Sequence, residues 1–269
     1  MNKLALCVGI NDYPGRGNDL SGCINDVDDW TRLLQAYKFR VEQLKDGEAT
    51  LSNIRSHLKR MLLGAIYGDL VVFQFSGHGS FVPDLDGDEA DGVDECLVPY
   101  DFEDGVLIDD ELSQIFADKP PGVRAVFIAD CCHSGTVCRF FTLAPSSATR
   151  RVRFMSPGQF MTSAQIKSLG PSRRNFGHTM VSKVLQNRSP MLLLAGCQDK
   201  EYSYDAHFNG RPNGVFTKTL IKHIADNGIK PMSYQDLQRQ VQNDLPNNEY
   251  PQTPNFVGTK EQLNWTVLG

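Results

Sequence analysis

Five short runs of apolar, β-favouring residues, at positions 4–10, 40–44, 70–75, 124–129 and 191–195, alternate along this chain with segments whose apolar residues recur at helical spacing. Few architectures accommodate that rhythm. Parallel strands need long crossovers, and crossover helices cover a sheet on both sides, so the pattern predicts an α/β fold with a central, mostly parallel β-sheet flanked by helices on both faces. In residues 25–36, Val27, Trp30, Leu33 and Leu34 share one helical face, and Thr50 stands where it can cap a helix carrying Leu51, Ile54, Leu58, Met61 and Leu62. Residues 109–116, 215–225 and 234–241 read as further helices. The 269 residues are enough for one large domain. No apolar run approaches the roughly 18 residues of a membrane-spanning helix, and Asn11-Asp12-Tyr13-Pro14 ends the first run without a leader-type cleavage site.

Two stretches break the rhythm. Residues 84–95 are acidic and contain glycine, which reads as a loop. Residues 140–190 are rich in Ser, Thr, Pro, Gly and basic side chains and are longer than a connection inside a compact domain requires. Charge is distributed unevenly: the net value is −5, yet residues 131–198 hold nine Arg and Lys and no Asp or Glu. The chain is an acidic body with a basic insert, which argues against general nucleic-acid binding by the whole. The seven cysteines are odd in number and form no CxxC pair, so neither a zinc site nor a disulfide framework is indicated. That usage suits a reducing cytoplasm.

The chemistry lies at the ends of two of the apolar runs. Residues 70–75 lead directly into Ser76-Gly77-His78-Gly79, and residues 124–129 into Asp130-Cys131-Cys132-His133-Ser134-Gly135. Open α/β sheets build their sites at the carboxyl ends of strands, so adjacent strands would bring a thiol, an imidazole and a carboxylate to one edge. A thiol near pKa 8.5 is mostly protonated at neutral pH, and a nearby imidazole can take its proton and later protonate a leaving amine. The N–H groups of Gly79 and Cys132 are candidates for holding an oxyanion. Spacing does not choose between Cys131 and Cys132 as nucleophile.

These two motifs, about 50 residues apart, resemble the His and Cys motifs of caspase-like cysteine peptidases, specifically metacaspases and orthocaspases. Val8-Gly9-Ile10-Asn11-Asp12-Tyr13, Leu20-Ser21-Gly22-Cys23-Ile24-Asn25-Asp26, Asp94-Glu95-Cys96-Leu97-Val98-Pro99-Tyr100-Asp101 and Gln252-Thr253-Pro254 are similar to segments of type I metacaspases. The resemblance covers nearly the whole chain except the basic insert. It implies one caspase-like domain, with a large part at 1–139, a linker at 140–190 and a small part at 191–269. It implies that Cys132 is the nucleophile and His78 its acid/base partner. It also implies an acidic S1 pocket of Asp26 and Asp130, with Cys23 and Ser76 beside it, suited to Arg or Lys at P1. Asp205 resembles a further pocket residue.

Metacaspases with such specificity are often activated by linker cleavage, which makes Arg150, Arg151, Arg153, Arg173 and Arg174 the expected self-cleavage sites. No organic cofactor is implied. Resemblance to calcium-activated relatives points to Asp94, Asp109 and Asp110 as calcium ligands, but only Val137, Cys138 and Arg139 stand in the vicinity where those relatives place an acid. Asp84, Asp86, Asp88 and Glu95 have EF-hand spacing, yet Glu89 occupies the position that needs glycine, so no EF-hand is expected. Substrates would be peptides or proteins, with no membrane partner, and the resemblance implies a monomer. Two other classes remain open: an inert regulatory scaffold on the same fold, and a calcium-sensing binding module.

Overall fold

Strand β3 (Leu70–Ser76) is buried at all seven positions, as an unbroken apolar run in a parallel sheet must be. In the computed structural model, which describes residues 1–84, 92–132, 150–163, 189–198, 201–228 and 230–269, it lies inside a six-stranded sheet. With β1 (Lys3–Gly9), β2 (Arg40–Lys45), β7 (Arg124–Asp130), β9 (Leu192–Ala195) and β12 (Asn255–Val257), the order is β12-β9-β7-β3-β1-β2. Every neighbouring pair is parallel except β12 with β9.

Alternating side chains of these strands feed two cores. Leu6, Val8, Val71, Phe73, Ala125 and Phe127 face α2 (Leu51–Leu63) and α3 (Asp109–Ala117). Ala5, Cys7, Val72, Val126, Ile128 and Leu194 face α1 (Cys23–Ala36), α4 (Val215–Asn227) and α5 (Tyr234–Asp244). A short α6 (Lys260–Leu263) follows, held by a capping box between Thr259 and Gln262. Thr50 caps α2 as expected, accepting from the Asn53 N–H at 3.2 Å.

The five strands and five helices read from periodicity are all present. Two smaller sheets are additions. One comprises β4 (Gly79–Pro83), β5 (Val93–Leu97) and β6 (Leu107–Ile108). The other comprises β8 (Arg150–Val152), β10 (Tyr204–Phe208) and β11 (Arg211–Gly214). One expectation is corrected here. The acidic stretch is not wholly loop, because Val93, Asp94 and Glu95 pair with Pro83, Val82 and Phe81. Within the basic insert, Arg153, Met155 and Pro157 are buried among residues 150–163. Residues 85–91, Arg139, Arg173 and Arg174 lie outside the described residues. Asp109 is the first residue of α3. No helix is long and apolar enough to cross a membrane among the described residues.

Candidate active site

Strands β3 and β7 are neighbours in register, with Ser76 opposite Asp130, so the residues that follow them emerge side by side. After β3 the chain turns away from the sheet at Gly77 and His78 and enters β4. After β7 it continues into Cys131 and Cys132, both buried. Gly79 and Cys132 then come so close that a side chain at Gly79 would collide with the Cys132 carbonyl, which only glycine avoids.

The His78 ring is buried and stands 4.8 Å from the Tyr13 ring. Tyr13 fixes this turn, its hydroxyl accepting from His78 N–H at 3.0 Å and donating to the Val98 carbonyl at 3.0 Å. His78 Nε2 lies 2.7 Å from the Asn18 main-chain oxygen. A carbonyl can only accept, so Nε2 carries the proton and Nδ1 is the free base. Nδ1 is buried with no hydrogen-bond partner among the described residues. Burial lowers the pKa of His78 from 6.5 to about 4, the Asn18 contact opposing this and the charges of Arg153 and Arg151 adding to it. The ring is therefore neutral at physiological pH. The Cys132 thiol is held by Ser203, whose N–H donates to Sγ at 2.8 Å and whose carbonyl lies 3.4 Å from it.

Between these two residues sits the chain's own Arg153. Its carbonyl oxygen accepts from Gly79 N–H at 3.0 Å and from Cys132 N–H at 3.1 Å, and its N–H donates to the Ser203 carbonyl at 3.0 Å. Its side chain is fully buried among three carboxylates. Nη2 is 2.7 Å from Asp26 and 3.1 Å from Asp205, and Nη1 is 3.2 Å from Asp130. One cation does not neutralise three acids, and the remainder is met by fixed donors. Ser21 and Gly22 N–H hold Asp205, the Asn213 side-chain amide and Gly214 N–H hold Asp26, and Ser203 Oγ with the Thr217 N–H at the start of α4 hold Asp130. Burial works against the charge of Arg153, but the surrounding acids raise its pKa well above the ordinary arginine value. Burial pushes Asp26 up to about 6 against the pull of Arg153.

The segment on either side of Arg153 is laid out as an extended ligand. Residues 150–152 pair antiparallel with β10, Val152 opposite Tyr204 and Arg150 opposite Ala206. Beyond Arg153, Phe154 stacks on Phe81 with centroids 6.2 Å apart, and Met155 N–H donates to the Gly79 carbonyl at 3.0 Å. Ser80 Oγ donates to the Met155 carbonyl at 2.7 Å. A cavity of about 420 Å³, lined by His78, Asn18, Leu20, Phe154, Met155 and Gln159 among others, opens beside the Arg153–Phe154 bond.

The caspase-domain family model matches residues 2–264. The chain belongs to the caspase-domain peptidase family. It is 30% identical to Metacaspase-1 of Cryptococcus neoformans over 94% of its length, spanning 61% of that protein. It is 30% identical to Metacaspase-1 of Schizosaccharomyces pombe over 94% of its length, spanning 66% of that protein. Among solved structures, protein GSU0716 from Geobacter sulfurreducens matches with a TM-score of 0.72 at 27% identity, covering 98% of this chain and 97% of that one. Caspase-1 from Spodoptera frugiperda matches with a TM-score of 0.63 at 13% identity, covering 100% and 90%, which speaks for the fold alone.

Of the residues singled out from sequence, His78, Gly79, Cys132, Asp26, Asp130 and Arg153 meet in one place, and Cys23 is close enough to feel the Arg153 charge. Ser76 is buried beside Asp130, with its Oγ taken by Gln74 Nε2 at 2.8 Å. Arg150 and Arg151 lie on the approach to the site. Asp94 and Asp109 are buried near Cys96, but among the described residues no three His, Cys, Asp or Glu side chains converge where they could hold a metal ion, and no step is assigned to calcium. Two participants had no signal in the sequence. The Asn18 contribution is a main-chain carbonyl, and Ser203 acts chiefly through its backbone.

Proposed function

We propose that this chain is a cysteine endopeptidase that cleaves after Arg, and more weakly after Lys, and that its own Arg153–Phe154 bond is its first substrate. The observation that carries this reading is the seat of Arg153, with its guanidinium among Asp26, Asp130 and Asp205 and its carbonyl between two N–H donors. The three acids favour Arg over Lys because the planar guanidinium fork reaches several carboxylates at once.

In this mechanism neutral His78 takes the Cys132 proton on Nδ1 as sulfur bonds to the Arg153 carbonyl carbon. The N–H groups of Gly79 and Cys132 hold the resulting oxyanion. His78 returns the proton to the Phe154 nitrogen as the C–N bond breaks, leaving a thioester on Cys132 and a free amine. Water entering from the cavity beside His78 loses a proton to Nδ1 and attacks the thioester. This releases the Arg153 carboxylate and restores the thiol. The uncut chain is latent, since its pocket is already filled.

The test is to incubate the purified chain and map its ends by mass spectrometry, together with hydrolysis of Arg-, Lys- and Asp-ending fluorogenic peptides, with calcium or chelator present. A new amino terminus at Phe154, absent from Cys132→Ala, and cleavage after Arg and Lys but not Asp are expected. An intact wild-type chain that is fully active on peptides would falsify the self-cleavage step, and cleavage after Asp would remove the acidic-pocket assignment.

A further inference from the structure

Residues 150–152 are paired with β10 and Arg153 N–H continues the run to the Ser203 carbonyl, and successive side chains of an extended segment point to opposite faces. Arg151 and Arg153 share one face, Arg150 and Val152 the other. On the Arg153 face, Arg153 enters the acidic pocket while Arg151 stays exposed and donates to the Asp19 carbonyl. The second face is built differently. Val152 packs against a cluster that includes Tyr204, Ala206 and Tyr250, and the Arg150 guanidinium lies 5.1 Å over the Tyr204 ring. Arg150 also donates to the Glu249 carbonyl. The Tyr204 ring is 3% exposed and braced by Tyr202 and Tyr250, with centroids 6.5 and 6.0 Å away. A ring held this firmly presents a fixed π-face, and a carbonyl at its edge adds a second feature that favours a cation.

Resting on the reading of residues 150–153 as a seated substrate, we infer that Tyr204 and the Glu249 carbonyl form a cation-selective subsite for the residue three before the cleaved one. The preferred substrate class is therefore a basic peptide of the pattern Arg-x-aliphatic-Arg, with the aliphatic residue resting on the same aromatic cluster. Main-chain pairing with β10 is indifferent to sequence, so discrimination beyond the acidic pocket falls to this second face. An acidic residue in place of Arg150 would meet the negative π-face and a carbonyl oxygen, and would be rejected.

The experiment uses the full chain carrying Arg150→Ala and Arg153→Ala, which takes the chain's own side chains out of both subsites, alongside self-cleaved wild type. The probes are fluorogenic amides of Arg-Ala-Val-Arg, Ala-Ala-Val-Arg and Glu-Ala-Val-Arg. The first is expected to exceed the second in kcat/KM by about tenfold, the combined effect of a cation–π contact and a charged hydrogen bond at a partly exposed site. The third should be slowest. Tyr204→Leu should reduce the first ratio by roughly threefold, and Tyr204→Phe should preserve it, because the ring face rather than the hydroxyl is used. Equal rates on the first two peptides overturn the subsite while leaving cleavage after Arg intact, as does a ratio unchanged in Tyr204→Leu. Failure of both enzyme forms to cut any of the three peptides overturns the underlying reading, and this inference with it. The peptide comparison within one enzyme does not depend on how any Tyr204 variant folds.

Discussion

At the residue scale, the buried ion cluster and the neutral histidine make separate predictions. Arg153→Ala leaves Asp26, Asp130 and Asp205 without their cation, and breaking such a buried pair costs about 3–5 kcal/mol. Thermal or urea unfolding of the variant at neutral pH should show that loss, and added guanidinium-bearing ligands such as Arg-amide should recover part of it. The pH dependence follows from His78. Its pKa falls from 6.5 unfolded to about 4 folded, so between these values the unfolded chain binds the extra proton, and stability drops as pH falls through that window, by about 3 kcal/mol in all. Asp26 works in the opposite sense, because its carboxyl is raised from 3.8 to about 6 and the folded chain binds its proton first. Unfolding curves between pH 4 and 6.5 should therefore become less acid-sensitive in His78→Asn and more so in Asp26→Asn. A ring titration by NMR should also find His78 moving back toward 6.5 in Arg153→Ala, since both burial and the Arg153 charge are then reduced. Much at this scale was readable in sequence, because His78, Cys132 and Asp130 each follow an unmistakable strand. Arg153 was readable only as one of five candidate cleavage sites in a Ser- and Pro-rich stretch. Its burial depends on acids supplied from positions 26, 130 and 205, which no local pattern joins.

At the element scale, what was legible depended on periodicity. The strands of the main sheet are buried on both faces and the helices on one, and each announces itself by spacing. β11 reads Arg-Pro-Asn-Gly, which has the composition of a turn and becomes a strand only because β10 is there to pair with it. β8 is three residues of mostly basic chain whose strand character likewise comes from its partner. The same segment is fastened again past the Arg153–Phe154 bond, where Met155 is 2% exposed within the core that faces α2. Met155→Ala removes a buried side chain worth roughly 2–5 kcal/mol. That loss should loosen the seat rather than the sheet, so limited trypsin digestion should cut after Arg151 and Arg153 several-fold faster in this variant than in Cys132→Ala alone, with the rest of the digest unchanged. Equal rates would mean that β8 pairing alone holds the segment.

At the scale of the whole molecule, the Arg153–Phe154 bond divides the chain within one folded unit. The part before it supplies β1, β2, β3 and β7, and the part after it supplies β9 and β12 of the same sheet, joined where Val126 to Ala129 pair with Leu192 to Ala195. The two fragments should therefore co-elute in size-exclusion chromatography after cleavage and separate only in denaturant. Fragments that part under native conditions would contradict this account of the core. The double fastening of the segment has a further consequence. If the proposed cut is made, contacts present in the uncut chain would hold both new ends: the ion pairs of Arg153 and the β-pairing of residues 150–152 on one side, Phe81 against Phe154 and the buried Met155 on the other. An amine kept that close to a thioester would compete with water for the same carbon, so resealing would compete with completion of the cut. Counting broken chains would then overstate the working enzyme, and the quantity that sets activity is how often one of the two ends lets go.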